Sequence, residues 1–303
     1  MQNSYMIEKV MENIYLIDTL AYNEEKAVAC YLVKSGDKFA LIDVGYASTY
    51  MNVVNALLSA NIDVSNLTYI IPTHVHLDHS GATGHIANIA KKAIIVAHER
   101  AQRHLVDPSR LIESAKQIFG EEKLKSFGLP LPVNPERITV VKEELELKLG
   151  DLTLRCIYAP GHAPHQISVL LVEKKALFTA DAVGIVQPKL NIMIPTTPPP
   201  SFDPIQAIKT VDNLSSHEPN ILLVPHFGVR NDPNNIFELT KIKINEWVED
   251  IKKFLKENLN KEEILQRMIQ KVKIEANLEN LPSSAIQSIY VTVSGILNYL
   301  AKS

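Results

Sequence analysis

The chain has 303 residues, of which 46% are apolar and 21% charged, and its formal net charge is −3. This composition is typical of a globular protein with one large domain or two smaller ones. The acidic balance offers no basic footprint for nucleic acid, and no apolar run is long enough for a bilayer-spanning helix. We therefore expect neither nucleic acid nor a membrane as a partner.

The first residues and the two cysteines indicate the compartment. The start MQNSYMIEKVMENIYLIDTL carries acids among its apolar residues and lacks the basic and apolar regions of a secretory signal. Cys30 and Cys156 lie in apolar, strand-like surroundings. We expect buried free thiols, since two cysteines cannot form a disulfide framework. The sequence predicts a cytoplasmic protein.

Strands and helices are predicted to alternate in the first part of the chain. Apolar periodicity predicts a helix with Met51, Val54, Leu57 and Leu58 on one face, and a short helix at Gly81–Ala90. Residues 99–131 are typical of an insertion of one or two helices. The predicted strands, each a short apolar run, are Ile14–Asp18, Val28–Lys34, Lys38–Val44, Leu67–Pro72 and Ala93–Ala97.

The second part of the chain begins with strands in series and ends in helices. A long proline-rich irregular loop is predicted at residues 185–204. After it, Asn260 to Glu263 predict a capping box, and a last amphipathic helix carries Ile286, Ile289, Val293, Ile296 and Leu300. The predicted strands are Ile138–Lys142, Glu144–Leu147, Leu152–Tyr158, Gln166–Val172 and Ala176–Thr179. Two mixed halves of this kind predict two sheets packed face to face with helices outside.

A dense cluster of metal-ligating residue types follows the fifth predicted strand. The segment PTHVHLDHSGATG, residues 72–84, contains His74, His76, Asp78 and His79. Imidazole and carboxylate are ligands that zinc, iron and manganese accept. Two positions apart in extended chain, His74 and His76 can point to one metal, and Asp78 and His79 are offset towards a second. Gly81 and Gly84 would permit a tight passage beside such a site.

Most histidines bind no metal and lie on surfaces or in satisfied core positions. We prefer that interpretation for His85, His98, His104 and His217, which fall on predicted helices, a strand end or a loop. It explains the crowding in residues 74–79 poorly. The sequence therefore predicts a metal site in that segment.

Three more polar side chains follow buried apolar runs. His162 stands in APGHAPHQ, Asp181 in LFTADAVG and His226 in LLVPHFG. Ligand sites in open sheets lie at such strand ends. A buried aspartate is costly without a cation or strong hydrogen bonds, although Asp181 taken alone could equally be a capping or turn residue.

In this order THVHLDH, PGH, TAD and PHFG resemble the metallo-β-lactamase superfamily of dinuclear hydrolases, over residues 14 to about 230. The resemblance implies an α/β protein, an αβ/βα four-layer sandwich with the site at one edge between the sheets. It implies a catalytic domain at residues 1–234 and an added C-terminal helical region at residues 235–303. The implied ligands are His74, His76 and His162 for one metal, Asp78, His79 and His226 for the other, and Asp181 bridging both.

The resemblance also implies a reaction. A hydroxide held between two divalent ions, zinc first and iron or manganese as alternatives, would attack an ester, thioester or lactone carbonyl of a small molecule. Asp78 would orient this nucleophile and move its proton. Asp181 stands where β-lactamases usually carry a cysteine, so the set is more similar to glyoxalase II and lactone hydrolases.

Three departures from the family pattern bear on the substrate. Gly184 stands where lactone hydrolases often carry a tyrosine, His165 is displaced from the usual second glycine-histidine pair, and the C-terminal region shows no glutathione-binding motif. The pocket walls are predicted in residues 99–131, in residues 185–204 and in the C-terminal helices. Candidate lining residues are His165, Met193, Ile194 and Phe202, whereas Phe119 and Phe127 are equally well explained as core residues.

Two other functions on the same fold are considered. An iron-dependent oxidoreductase similar to persulfide dioxygenases would need only one metal, whereas the second-site residues are present here. A phosphodiesterase or nuclease would use the same metals, but the acidic balance offers no basic arm. The apolar C-terminal helices could pair two chains in a homodimer or cover their own domain, and their spacing favours the second.

Overall fold

The computed structural model describes residues 7–187 and 192–302. They fall into two compact units. Unit 1 is the chain up to Tyr158 together with His165–Ala180, and unit 2 is Ala159–Pro164 together with the chain from Asp181 onward. The predicted domain boundary at residues 234 and 235 stays a prediction.

Unit 1 contains a seven-stranded mixed sheet whose strands follow each other in chain order. The first four strands pair antiparallel, and the last four pair parallel because helices cross over between them. The strands are β1 (Ile7–Met11), β2 (Ile14–Asp18), β3 (Ala29–Ser35), β4 (Lys38–Ile42), β5 (Leu67–Ile71), β6 (Ile94–His98) and β7 (Ile138–Val141). The predictions of β2 to β7 are confirmed to within two residues, and β1 was not predicted.

The helices of unit 1 correct two predictions. Residues 99–131 form three helices rather than one or two, because Gly120, with φ at +82°, separates the second from the third. On the first helix Val54 and Leu57 are buried as predicted, whereas Met51 and Leu58 are exposed. The helices are α1 (Tyr50–Ser59), α2 (Leu77–Ser80), α3 (Thr83–Ile89), α4 (Glu99–Val106), α5 (Ser109–Phe119) and α6 (Glu121–Phe127).

An antiparallel series of four strands completes unit 1, as the sequence predicted. These strands pair in chain order, and the first two of them contact β4 and β7 of the other sheet. They are β8 (Glu144–Leu149), β9 (Leu152–Tyr158), β10 (Ile167–Leu171) and β11 (Ala176–Phe178). Two sheets with helices between their strands agree with the predicted α/β class.

Unit 2 is mainly helical and has its own apolar core. The predicted irregular loop at residues 185–204 contains a short antiparallel ladder on either side of residues 188–191, which lie outside the described residues. The capping box at Asn260 is confirmed. The elements are β12 (Ile185–Gln187), β13 (Ile192–Ile194), α7 (Pro204–Ser216), β14 (Ile221–Val224), β15 (Gly228–Arg230), α8 (Pro233–Lys256), α9 (Lys261–Ala276) and α10 (Ser283–Leu300).

The core of unit 2 is built from one face of each long helix. Trp247, Met268 and Ile289 are almost fully buried in it. On α10 Ile289, Val293 and Ile296 are buried as predicted, but Ile286 is exposed. None of the helices in the described parts of the chain has the length and apolar character that a bilayer crossing requires.

We expect Arg137→Met to lower the free energy of unfolding by about 2–4 kcal/mol, because buried carbonyls would lose a charged donor. The Arg137 guanidinium donates hydrogen bonds of 2.6–3.1 Å to the carbonyls of Ala87, Ala90 and Ala93. The three residues lie at the end of α3 and in the segment between α3 and β6. Urea unfolding measures the change.

The matched control is Arg155→Met, which removes a partly exposed ion pair with Glu146. Such a pair contributes less than about 1 kcal/mol. Equal losses for the two variants would contradict the role assigned to Arg137.

Candidate metal centre

The histidine cluster of unit 1 lies where β5 leads into α2. Val75 and Leu77 are buried in two apolar clusters and anchor the segment. His74 and His79 are fully buried. Gly81 is required for this passage, because a Cβ atom there would lie 2.3 Å from the carbonyl oxygen of Leu77. The tight passage predicted after the cluster is confirmed.

The nitrogen and oxygen atoms of these side chains that could bind a metal lie close together. His74 Nε2 lies 2.9 Å from His76 Nδ1, and the rings of His74 and His79 are 4.1 Å apart. His79 Nε2 lies 3.6 Å from Asp78 Oδ2, which is longer than a well-formed hydrogen bond. Unit 1 therefore brings together all four metal ligands predicted within residues 72–84.

Asp43 orients this cluster and was not predicted. It is almost fully buried just after β4. Its Oδ1 accepts hydrogen bonds of 2.8 Å from the backbone N–H and the hydroxyl of Thr73, and its Oδ2 lies 2.8 Å from His79 Nδ1. The signal in the sequence is an aspartate directly after an apolar strand in FALIDVG, the pattern that did single out Asp181.

The hydrogen bonds of the cluster fix which ring nitrogens carry protons. The carboxylate of Asp43 can only accept, so His79 donates through Nδ1–H. The hydroxyl of Thr73 donates to Asp43, so its oxygen accepts from His74 Nδ1, 3.1 Å away. In a neutral ring this use of Nδ1 places the lone pair on Nε2, the form that a metal ligand needs.

The other three predicted metal ligands lie in unit 2, where His162 and His226 are next to the carboxylate of Asp181. His162 Nε2 lies 3.4 Å from Asp181 Oδ2, and His226 Nε2 lies 3.5 Å from Asp181 Oδ1. His162 Nδ1 donates to the carbonyl of Thr196 over 3.0 Å, the arrangement in which a neutral ring carries its lone pair on Nε2. The hydroxyl of Thr196 donates to the carbonyl of Asp181. Unit 2 therefore brings its three predicted donors together.

Helix α7 supports the loop that carries His162. A Cβ atom on Gly161 would lie 2.4 Å from the Cα of Ala207, and the backbone N–H of Asp203 donates to the carbonyl of Gly161. Thr210 donates to the carbonyl of Pro160. The sequence analysis did not predict α7, because its apolar positions are interrupted by polar ones.

The remaining histidines and the cysteines behave as expected for residues outside a metal site. His85 bonds to the carbonyl of Leu129 and stacks on Tyr50. His98 accepts from the backbone of Arg100 at the start of α4, and His217 ends α7. Both cysteines are buried and free, and burial raises the pKa of the Cys156 thiol to about 12.

The predicted pocket residues are placed differently from one another. His165 lies with its ring 6.3 Å from that of His74 and 6.0 Å from that of His76. Met193, Ile194 and Phe202 are almost fully buried in unit 2, and the last two pack in its apolar core. A substrate-binding role for these four residues stays a prediction.

The comparisons with known proteins show the family of this chain. The model of the metallo-beta-lactamase superfamily matches residues 23–226, and the chain belongs to that superfamily. The predicted fold class is confirmed. His and Asp side chains are positioned for metal binding.

Three relatives illustrate the range of similar proteins. The chain is 28% identical to the metallo-beta-lactamase fold-containing protein ST1585 of Sulfurisphaera tokodaii, over 85% of this chain and 92% of the relative. The crystal structure of ST1585 aligns with this chain with a TM-score of 0.65. The structure of TTHA1429 from Thermus thermophilus aligns with a TM-score of 0.68 at 18% identity, over 97% of this chain and 95% of the other. The acyl-coenzyme A thioesterase MBLAC2 of Gallus gallus is 26% identical over 56% of this chain and 62% of the relative.

Proposed function

We propose that the chain is a dinuclear metal-dependent hydrolase of a small-molecule ester or thioester. His74, His76 and His162 would hold the first metal, and Asp78, His79 and His226 the second. Asp181 would serve both, since each of its oxygens faces a histidine Nε2. Zinc fits a set of imidazole and carboxylate donors, and iron or manganese would fit it as well.

One observation carries this proposal. His74, His79 and His162 each engage an oxygen through Nδ1, which in a neutral ring places the lone pair on Nε2. An oxygen that binds the other ring nitrogen and fixes the tautomer in this way is typical of metal-binding histidines.

The chemistry follows from the charge of the ions and the exposure of Asp78. When bound, two divalent ions lower the pKa of a coordinated water to about 7 and polarise a carbonyl oxygen. The side chain of Asp78 is 23% exposed, whereas that of its neighbour His79 is fully buried. We assign Asp78 to orienting the attacking water and accepting its proton, because its carboxylate can reach both water and its neighbouring ligand.

Two features favour a thioester or open-chain ester over a lactone. A Cβ atom on Gly184 would lie 2.5 Å from the Cγ of Met193, so this position has no room for the tyrosine that lactone hydrolases often carry. Acyl-coenzyme A thioesters are the substrates named for the Gallus gallus relative. A thioester is therefore the first substrate class to test.

The test is a panel of ester, thioester, lactone and phosphodiester substrates, assayed with zinc-, iron- and manganese-loaded protein. We expect thioester turnover that needs metal, with two ions per chain by elemental analysis. His76→Ala is the control for the first metal position. Thioester turnover that persists in metal-free protein would overturn the proposal, and one redox-active iron per chain would favour the dioxygenase alternative.

A further inference from the structure

A short row of side chains leads from the ligand histidines of unit 1 to the insertion helices. The ring of His165 lies 6.0 Å from that of His76 and also 6.0 Å from that of His104 on α4. His104 Nε2 accepts a hydrogen bond of 3.2 Å from Nε of Arg103. His165 therefore stands between the candidate metal ligands and a cationic part of the surface.

The far end of this row carries exposed arginines. The chain has three arginines from Arg100 to Arg110, with Glu99 and Asp107 as the neighbouring acids. Arg103 and Arg110 are exposed, and neither forms an ion pair within 4.0 Å in the part of the chain that the structure describes. Asp107 is engaged by the hydroxyl and backbone N–H of Ser109.

His104 lies close enough to both arginines to be influenced by them. Burial lowers the pKa of His104, and the charges of Arg103 and Arg110 lower it further. The accepted hydrogen bond from Arg103 is consistent with a neutral ring that donates through Nδ1. Arg103 therefore contacts the ring of His104 directly, and the charge of Arg110 also acts on this ring. Guanidinium and imidazole N–H groups are donors that suit phosphate or carboxylate.

We propose that His104, Arg103 and Arg110 form a subsite for an anionic group of the substrate, with His165 lying alongside the part that connects this group to the scissile bond. This inference rests on the proposed function, because it assumes that the bond to be cleaved lies at the candidate metal centre. The anion would lie next to His104, whose ring is 6.0 Å from that of His165, which in turn is 6.0 Å from that of His76. A phosphate on the thiol side and a carboxylate on the acyl side are the two sources of such a group.

The kinetic test compares three thioesters in the metal-loaded protein. Butyryl-coenzyme A carries phosphates on the thiol side, succinyl-N-acetylcysteamine carries a carboxylate on the acyl side, and butyryl-N-acetylcysteamine carries no charge. We expect Arg103→Gln combined with Arg110→Gln to raise KM for one of the anionic substrates at least tenfold, with kcat and the neutral substrate unchanged. The substrate that responds identifies the source of the anion.

Two controls make the result specific. Arg100→Gln removes the same charge from an arginine that instead donates to the hydroxyl of Tyr158, and we expect it to leave KM unchanged. Added salt should raise KM for the responding substrate in the native protein more than in the double variant, because screening weakens exposed charge pairs. An equal rise of KM for neutral and anionic substrates, or an equal effect of Arg100→Gln, would overturn the subsite.

A binding measurement separates the subsite from the proposed function. Calorimetric titration with the product coenzyme A or with succinate requires no turnover. Arginine-dependent binding without hydrolysis of any substrate would support the subsite and overturn the hydrolase proposal. Hydrolysis with no arginine-dependent effect on either anionic probe would leave the hydrolase and overturn the subsite.

Discussion

Asp181→Asn is expected to lower the metal content to one ion per chain or fewer and to slow thioester hydrolysis by about 10³-fold. The carboxylate lies between His162 and His226, with one oxygen facing each Nε2 at 3.4 and 3.5 Å. An amide supplies one neutral oxygen and an NH₂ group that repels a cation. The loss corresponds to about 4 kcal/mol, since 1.36 kcal/mol is tenfold, and metal catalysis contributes several kcal/mol.

The matched control for this variant is Asp203→Asn in the same unit. Asp203 is an exposed N-cap residue whose side chain accepts from the backbone of Gln206, and asparagine caps helices equally well. Elemental analysis and steady-state kinetics on both proteins measure the effect. Two ions per chain and unchanged hydrolysis in Asp181→Asn would remove the basis for a bridged centre.

Asp43→Asn is expected to weaken metal binding by about 10- to 100-fold, the usual effect of losing a group that hydrogen-bonds to a metal ligand. Asp43 touches no predicted metal position and acts through His79, whose Nδ1 lies 2.8 Å from its Oδ2. If the asparagine NH₂ faces this nitrogen, the ring must carry its proton on Nε2, the atom needed for the metal. Competition with a chromophoric chelator measures the affinity.

Asp18→Asn is the control for burial and charge. Asp18 is also an almost fully buried aspartate at the end of a strand, and it accepts from the backbone N–H groups of Leu20 and Lys26. We expect each variant to lose about 1–3 kcal/mol of stability, but only Asp43→Asn to lose metal affinity. Equal metal affinity in the two variants would show that Asp43 has no positioning role.

The strands and the donor residues were predictable because they carry local signals. Leu152–Tyr158 is an apolar, β-branched run between turn residues, and its bounds were predicted without error. His74 to His79 crowd metal-ligating types into one short segment. Both signals lie within a few neighbouring residues, so they do not depend on the rest of the fold.

The features that were missed depend on contacts between distant residues. Asp43 is recognisable as a partner of His79 only once β4 and β5 lie side by side. β1 is a partly exposed edge strand whose charged residues hide the alternation. Met51 and Ile286 have helical spacing, but the direction of the buried face is set by the neighbouring elements rather than by the residue's own hydrophobicity.

The interleaving of the two units along the chain has a consequence for folding during synthesis. The segment Ala159–Pro164, which carries His162, leaves the ribosome between two pieces of unit 1 but belongs to unit 2. Unit 1 can be complete once Ala180 has emerged, whereas the core of unit 2 also needs side chains from α10. Domains tend to fold in the order of their synthesis. On the nascent chain, the predicted metal ligands of unit 1 would therefore be in place before the core that holds those of unit 2 has formed.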